Sequence, residues 1–211
     1  MTDLILPEDF GSSPKKTLNL PVDFTGLVVH CCCAPCSGAM FEYFKEQNLK
    51  IHVFFYNPNI HPQTEYEKRR DELVKFCKLL NFDVTVGDYD TKEWFKAVKG
   101  LEKEPERGLR CSVCFTRRLT VTALFTKEIN FSHFTTTLAT SRWKNKQQVD
   151  EAGLKAQKAV NEKVKYWQED WRKGGMVTRR YELVKKINFY NQLYCGCIFS
   201  KESTAYQNKP L

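Results

Sequence analysis

The most informative part of the chain is the stretch Leu27-Val28-Val29-His30-Cys31-Cys32-Cys33-Ala34-Pro35-Cys36-Ser37. It begins within an apolar run, residues 24–30, that is short enough for a strand buried in a parallel sheet. It ends in a segment whose apolar residues have helical spacing, with Ser37 as the predicted N-cap and Gln47 as the predicted end. The stretch therefore predicts a strand that turns directly into a helix.

Four of the nine cysteines lie in this turn, at Cys31, Cys32, Cys33 and Cys36. Thiolate sulfur is the ligand type that selects zinc or iron–sulfur clusters. The competing interpretation is a patch of inert cysteines, because free cysteine is among the most buried residue types. Two further cysteine pairs downstream favour a metal or redox site.

Strand and helix patterns alternate along the rest of the chain. Predicted strands occupy residues 51–56, 82–86 and 131–135, and predicted helices occupy residues 64–80, 91–101, 109–128, 149–164 and 179–187. The helix predicted over residues 64–80 has Thr64 as its predicted N-cap. This alternation predicts an α/β domain with a parallel sheet. In a chain of 211 residues we expect a loosely ordered leader (1–20), one catalytic domain with a C-terminal helical part (21–200) and a polar tail (201–211).

The charge balance favours a polyanionic partner. The chain has 33 Lys and Arg against 25 Asp and Glu, a net charge of +8, and nucleic acid is the usual partner for such a surplus. A generally basic surface is the alternative. The sequence shows neither a secretory leader nor an apolar run of about 18 residues, so we expect a cytoplasmic protein without membrane contact. In that compartment many cysteines indicate metal binding or catalysis rather than structural disulfides.

Two other cysteine groups carry chemical information. Cys111 and Cys114 form a C-x-x-C pair at the start of a predicted helix, where the helix dipole stabilises thiolate. The segment Cys195-Gly196-Cys197 either presents two thiols to one site or closes a strained, easily reduced disulfide. Cys77 lies on the apolar face of a predicted helix and is assigned to core packing.

The supply of thiols exceeds the need of one zinc ion. A structural zinc site takes four ligands, and neighbours such as Cys32 and Cys33 are not expected to share one tetrahedral ion. The sequence therefore favours a cluster with additional redox thiols over a zinc knuckle.

Polar residues should collect near the cysteines, because ligand sites form at the carboxyl ends of parallel strands. His61 and Tyr56 are candidate proton donors there, with loop packing as the alternative, whereas His52 and His133 are predicted to be core or edge residues. Flanking basic and aromatic residues predict phosphate contact and base stacking, or else a solvated face and core packing. The basic set is Arg110, Arg117, Arg118, Arg142, Lys144, Lys146, Arg172, Lys173, Arg179 and Arg180, and the aromatic set is Trp143, Tyr166, Trp167 and Trp171.

Taken together, these motifs resemble the QueH family of epoxyqueuosine reductases. The matching pieces are His30-x-Cys32-Cys33-Ala34-Pro35-Cys36-Ser37, Tyr56-Asn57-Pro58-Asn59-Ile60-His61-Pro62 with Glu65-Tyr66, Arg110-Cys111-x-x-Cys114-Phe115-x-x-Arg118-Leu119, Thr136-Thr137-Leu138 with Ser141 and Lys144, Lys173-Gly174-Gly175, and Tyr190-x-Gln192-x-Tyr194-Cys195-Gly196-Cys197. They follow the family's order over residues 25–200. The chain departs at Cys36, where some relatives carry Asp, at Asn191, where Arg is common, and at the additional Cys31.

The resemblance implies a Rossmann-like sandwich of the adenine-nucleotide α-hydrolase-like (HUP) type. It also implies the last step of queuosine synthesis, the two-electron removal of the epoxide oxygen from epoxyqueuosine at the tRNA wobble position. Such an oxidoreductase takes tRNA as its substrate and depends on an external low-potential electron donor.

The resemblance further assigns roles to residues. Cys32, Cys33, Cys111 and Cys114 would hold a [4Fe–4S] cluster, and Cys195 and Cys197 would form a redox-active disulfide. In some relatives a second, mononuclear iron takes ligands from the region of Cys36 and the Cys-Gly-Cys segment. His61 and Tyr194 are the candidate proton sources, and the predicted tRNA contacts are Arg118, Ser141, Lys144 and Lys173.

Two alternatives belong to other functional classes. A tRNA sulfur-transfer or tRNA-binding enzyme of the same fold would need a Gly-rich phosphate loop, but the turn after the first strand carries cysteines instead. A zinc-stabilised nucleic-acid-binding module without redox activity would contain zinc and no iron.

Overall fold

The computed structural model describes residues 4–14, 23–141 and 144–201. Its strands are β1 (Leu27–His30), β2 (Ile51–Phe55), β3 (Asp83–Val86), β4 (His133–Thr136) and β5 (Lys165–Tyr166). They form one sheet in the order β3-β2-β1-β4-β5, and every pairing is parallel. The predicted α/β class with a Rossmann-like parallel sheet is confirmed.

Helices flank this sheet and connect its strands. They are α1 (Ala34–Glu46), α2 (Gln63–Leu79), α3 (Thr91–Ala97), α4 (Leu109–Glu128), α5 (Lys146–Ala159), α6 (Met176–Lys186) and α7 (Ile198–Lys201), with a 3₁₀ turn at Thr137–Thr140. Helix α1 packs against α6, and α4 packs against α5. In the part of the chain that the structure describes, no helix is both long and apolar enough to cross a bilayer.

The centre of the sheet positions the site. Leu27, Val28 and Val29 of β1 are fully buried, as expected for a strand covered on both faces. Strand β1 pairs with β2 on one side and β4 on the other, so the order of the chain across the sheet reverses there. In open parallel sheets the crevice at such a reversal, outside the carboxyl ends of the strands, is the usual ligand site.

Both predicted helix caps next to this crevice are wrong. Helix α1 begins at Ala34 with Cys33 as its N-cap, because Pro35 suits the first helical turn with its fixed φ and missing N–H. Ser37 lies inside the helix, where its hydroxyl donates back to the carbonyl oxygen of Ala34 at 2.9 Å. Helix α2 likewise begins one residue before Thr64, after Pro62.

The C-terminal half departs further from the sequence pattern. The helix predicted over residues 149–164 is α5, which ends at Ala159, and the two-residue strand β5 that follows it was not predicted. Gly153 allows α5 to approach this strand, because a Cβ there would lie 2.4 Å from the ring of Tyr166. Helix α6 starts three residues before the predicted Arg179, after Gly175 in the left-handed region at φ 82°.

Part of the predicted leader contacts the domain. The ring of Phe10 lies 6.5 Å from that of Phe76, and the backbone N–H of Gly11 donates to Glu42 at 3.0 Å. The remainder of the predicted leader, the predicted tail from residue 202, and the basic and aromatic candidates Arg142 and Trp143 lie outside the described residues.

Candidate metal centre and active site

Three separate segments of the chain meet at one cavity of about 460 Å³. They are the turn after β1 together with the first turn of α1, the first turns of α4, and the segment before α7. Each segment contributes two thiols to the cavity wall, which are those of Cys32, Cys36, Cys111, Cys114, Cys195 and Cys197. The cysteine groups that are far apart in sequence are thus brought together, while Cys77 is buried in the core as predicted.

The turn after β1 holds the tightest group of thiols. The sulfur atoms of Cys32, Cys33 and Cys36 all lie within 4.8 Å of one another, and this group could hold a metal ion. The sulfurs of Cys32 and Cys33 are only 3.6 Å apart. These sulfurs are therefore close enough together to contact one ion, so the expectation that Cys32 and Cys33 would not share an ion is wrong. The chain bends at Cys32 on its way into α1, so the alternation that separates neighbouring side chains in a strand is lost.

Each of the four predicted cluster cysteines has a hydrogen-bonding group of another residue type at its sulfur. The indole N–H of Trp94 donates to Cys114 at 3.4 Å, and the backbone N–H of Arg107 donates to Cys111 at 3.3 Å. The amide nitrogen of Gln192 lies 3.0 Å from the sulfur of Cys33, and the Thr137 hydroxyl lies 3.7 Å from that of Cys32. Hydrogen bonds of this kind orient sulfur ligands and tune the metal that they bind.

Burial opposes ionisation of most of these thiols. It raises the pKa of both Cys111 and Cys197 to about 11, and together with the neighbouring sulfurs it raises the pKa of Cys33. The pKa of Cys32 is lowered instead by hydrogen bonds from Cys33 and Cys36 and by the charge of Arg118. Metal ligation requires thiolate, so loading the site would release protons.

The Cys195-Gly196-Cys197 segment is fixed by backbone contacts. The carbonyl oxygen of Gly196 accepts from the His61 N–H at 2.8 Å, and the Arg69 guanidinium donates to the carbonyl of Tyr194 at 3.0 Å. Gly196 has φ 101°, and a Cβ there would lie 2.8 Å from Ile60. The predicted disulfide is not formed in the structure, where all nine cysteines are free thiols.

Two predicted tRNA contacts, Arg118 and Lys144, line the cavity but are mostly buried and already paired. Lys144 forms an ion pair with Glu106 at 3.0 Å and has 11% of its side chain exposed. Burial raises the pKa of the Cys195 thiol, and the positive charge of Lys144 lowers it. The pKa of Cys195 is lowered overall. Arg118 is 3% exposed and donates to the side-chain oxygen of Asn57. Both cations therefore act on the interior of the site rather than on an open surface.

The predicted proton donors are placed differently from one another. Tyr194 lines the cavity, and its hydroxyl donates to the backbone oxygen of His61. The His61 ring lies outside the cavity lining, 5.4 Å from the ring of Trp94, with its Nδ1 3.0 Å from the oxygen of Asn59. Tyr56, also outside the lining, donates to Asp90 at 2.9 Å.

The remaining sequence candidates divide into surface and core residues. Ser141 lines the cavity, whereas Lys173 is exposed on a turn outside the lining. Arg179 is not a phosphate-binding residue of the surface, because it is buried in ion pairs with Glu42 and Asp9.

The aromatic candidates Tyr166, Trp167 and Trp171 pack in the core. His52 and His133 bond to neighbouring hydroxyls at 2.8 Å, as expected of core or edge residues.

The sequence assigned no role to three residues that line the cavity, namely Asn59, Trp94 and Gln192, whereas Arg180, which also lines it, belongs to the basic set predicted to contact phosphate. Asn59 and Gln192 lie within the quoted motifs, so a signal was present without a role attached to it. Trp94 lies in a short helix whose pattern has no distinguishing feature. Its position beside Cys114 results from packing between α3 and α4, which local sequence does not encode.

Comparison with known proteins identifies the family. Residues 27–203 match the family model described as epoxyqueuosine reductase QueH. The epoxyqueuosine reductase QueH of Acinetobacter baylyi is 42% identical over 92% of this chain and 88% of its own length. That of Histophilus somni is 41% identical over 90% and 78%, and that of Thermotoga maritima is 36% identical over 82% and 89%. The chain belongs to the epoxyqueuosine reductase QueH family.

Proposed function

We propose that this protein is a tRNA epoxyqueuosine reductase whose centre is an iron–sulfur site. The reaction converts the epoxide of epoxyqueuosine into the alkene of queuosine, and it consumes two electrons and two protons and releases water. The observation that carries the proposal is the convergence of six thiols from three segments on one cavity. A site that performs only recognition would not need this supply of redox-active sulfur.

The donor set fits a [4Fe–4S] cluster held by Cys32, Cys33, Cys111 and Cys114. All four are thiols at or beside one cavity, and each has a hydrogen-bonding group at its sulfur. When bound, the cluster supplies single electrons at low potential. Cys36 lies within 4.8 Å of Cys32 and Cys33, where it would be a ligand for a second iron.

Cys195 and Cys197 are proposed to be the redox pair of the protein. Closing them into a disulfide releases two electrons and two protons, which is the amount that removal of one epoxide oxygen as water consumes. An external low-potential donor must then restore the two thiols. Hydrogen bonds from Arg69 and His61 fix the backbone of this segment, so that opening and closing would occur without its leaving the cavity.

Charged residues of the wall prepare the cavity for proton delivery. Lys144 holds protons on Nζ close to Cys195 and Cys111, and Glu106 keeps it in place. The Tyr194 hydroxyl is engaged with the backbone of His61, so we propose that Tyr194 positions the loop. His61 supports the same loop from outside the lining, and a direct proton transfer from its ring is not part of the proposed mechanism.

The mouth of the cavity suits a nucleotide presented by a tRNA loop. A volume of about 460 Å³ is in the range of small-molecule sites and would take one modified base. Leu193 is 64% and Tyr181 40% exposed at the lining, next to Arg180. An exposed aromatic beside a cation is the usual platform for a base and its phosphate, and the net charge of +8 favours the polyanion. The need for reduced thiols leads us to propose a cytoplasmic location.

The test is conversion of an anticodon stem-loop that carries epoxyqueuosine, followed by mass spectrometry under anaerobic conditions with a chemical low-potential reductant. A loss of one oxygen per stem-loop is expected. Cys195→Ser should retain the iron of the wild-type protein but lose repeated turnover. Protein that carries iron and sulfide yet leaves the epoxide intact would overturn the reaction, and zinc-loaded protein that binds tRNA without redox activity would support the binding-module alternative.

A further inference from the structure

Two side-chain amides on the cavity wall have an oxygen atom without a hydrogen-bond partner. They belong to Asn59 and Gln192, and neither oxygen has a partner anywhere in residues 4–14, 23–141 and 144–201. Asn59 is only 3% exposed. An unsatisfied buried acceptor costs about 1–3 kcal/mol, so this arrangement indicates a ligand that donates hydrogen bonds into the cavity.

The backbone of the loop around Asn59 is held by several hydrogen bonds. Its backbone oxygen lies 3.0 Å from the Nδ1 of His61. The next residue, Ile60, donates to the oxygen of Asn57 at 3.1 Å and accepts from the Tyr89 hydroxyl at 2.5 Å. The backbone that carries the unpaired amide is therefore held in place at the wall, which lowers the ordering cost of binding a ligand there.

The neighbouring sulfur atoms fix the orientation of the Gln192 amide. One end lies 3.0 Å from the sulfur of Cys33 and 3.8 Å from that of Cys36. A thiolate or metal-bound sulfur accepts hydrogen bonds and cannot donate them, so the NH₂ group must face the sulfurs. The unpaired oxygen then lies on the other side of the amide, and Gln192 connects the thiol group to whatever fills the cavity.

We propose that Asn59 and Gln192 are specificity-determining residues that accept hydrogen bonds from the ring substituent of the substrate base. This inference rests on the proposed function. The cyclopentane substituent of epoxyqueuosine carries two hydroxyls and a secondary amine, which all donate, whereas its epoxide oxygen only accepts. Two acceptors on the wall therefore read the diol and the amine, and the epoxide is left for the thiol side of the cavity. Guanine without the substituent cannot make these contacts.

The test compares equilibrium binding of two tRNA anticodon stem-loops, one with queuosine and one with guanosine at the wobble position. Queuosine retains the diol and the amine. Wild-type protein should prefer the queuosine stem-loop, and Asn59→Leu should reduce that preference about 10-fold by weakening queuosine binding alone. Gln47→Leu, which changes an exposed amide outside the cavity lining, should leave the preference unchanged.

Each outcome decides one question. An unaltered preference in Asn59→Leu, with preference in the wild type, would overturn the inference and leave the proposed function intact. Absence of preference in the wild type would count against the proposed function itself. Asn59→Leu should also keep its iron content and unfold at no lower temperature than wild type, because it loses no hydrogen bond within the protein. A drop in stability with equal loss of both affinities would show a structural role and overturn the inference.

Discussion

Two of the regions in which the molecule buries polar side chains treat them in opposite ways. Where α1 meets α6, Glu42 is fully buried and Arg179 is 5% exposed, and the two are joined by hydrogen bonds of 2.7 and 2.9 Å. Asp9 completes this cluster at 2.7 Å from Arg179. In the cavity, by contrast, the side-chain oxygens of Asn59 and Gln192 are unpaired, and the thiols are not joined in disulfides.

The difference separates groups that complete the fold from groups that await a ligand. A buried ion is tolerated when its partners are present, as at Arg179, and then belongs to the architecture. A buried polar atom on a cavity wall that has no partner within the protein can be satisfied by a ligand that enters the cavity. The contrast also assigns Arg179 and Arg180, which look alike in sequence, to different roles.

The largest expected effect distinguishes cavity thiols from core thiols. Cys114→Ser should lose most of the bound iron and reduce turnover at least about 100-fold, since losing a ligand or its supporting contacts costs metal and activity on this scale. Iron content and conversion of the epoxyqueuosine stem-loop would be measured. Cys77→Ala, which alters a fully buried thiol of the core, is the matched control and should keep its iron. Equal iron loss in both variants would contradict the distinction.

The next effect separates the neighbouring arginines of α6. Arg179→Met leaves Glu42 buried without its cation and should lower the free energy of unfolding by about 3–5 kcal/mol, measured by denaturant titration. Arg180→Met should instead leave stability near wild type, weaken tRNA binding and reduce the salt slope of the affinity by about one. Loss of stability in Arg180→Met, or loss of tRNA binding without loss of stability in Arg179→Met, would contradict these assignments.

A smaller effect concerns the hydrogen bond from Trp94 to Cys114. Trp94→Phe removes the N–H donor and should make the reduction potential of the loaded centre more negative by roughly 20–65 mV, the equivalent of one hydrogen bond for a one-electron couple. Redox titration under anaerobic conditions measures the shift. Phe199→Leu perturbs the same packing without removing a donor and should not shift the potential. An unchanged potential in Trp94→Phe would argue against this hydrogen bond.

The smallest expected effect is a pH dependence of thermal stability that arises from the ion-pair cluster of Asp9, Glu42 and Arg179. Hydrogen bonds from Lys186 and Arg179 lower the pKa of Asp9 from its ordinary 3.8 to about 2. A lowered carboxyl pKa stabilises the fold above pH 3.8, and that contribution is lost as the pH falls towards 2. Thermal unfolding of Asp9→Asn should therefore lie below wild type at pH 6 and approach it at pH 2–3. Asp88→Asn, at an exposed position, should show no such convergence.

Local sequence patterns were sufficient to predict the α/β fold and to identify the cysteines that belong to the site. Alternating strand and helix signals predicted the parallel sheet, and Cys111-x-x-Cys114 lies at the start of α4 as expected. The pairing of residues distant in sequence was not predictable in the same way. Arg179 forms its ion pair with Glu42, 137 residues away, and Trp94 reaches Cys114 through packing of two helices. Short elements such as β5 also leave no periodicity to detect.

The central claim is that the cavity thiols hold an iron–sulfur cluster. Its most direct test is the iron, zinc and acid-labile sulfide content of anaerobically purified protein, together with the visible spectrum. We expect about four irons and four sulfides per chain, with additional iron if Cys36 supports a second metal. Stoichiometric zinc without labile sulfide, under strict anaerobiosis, would contradict it.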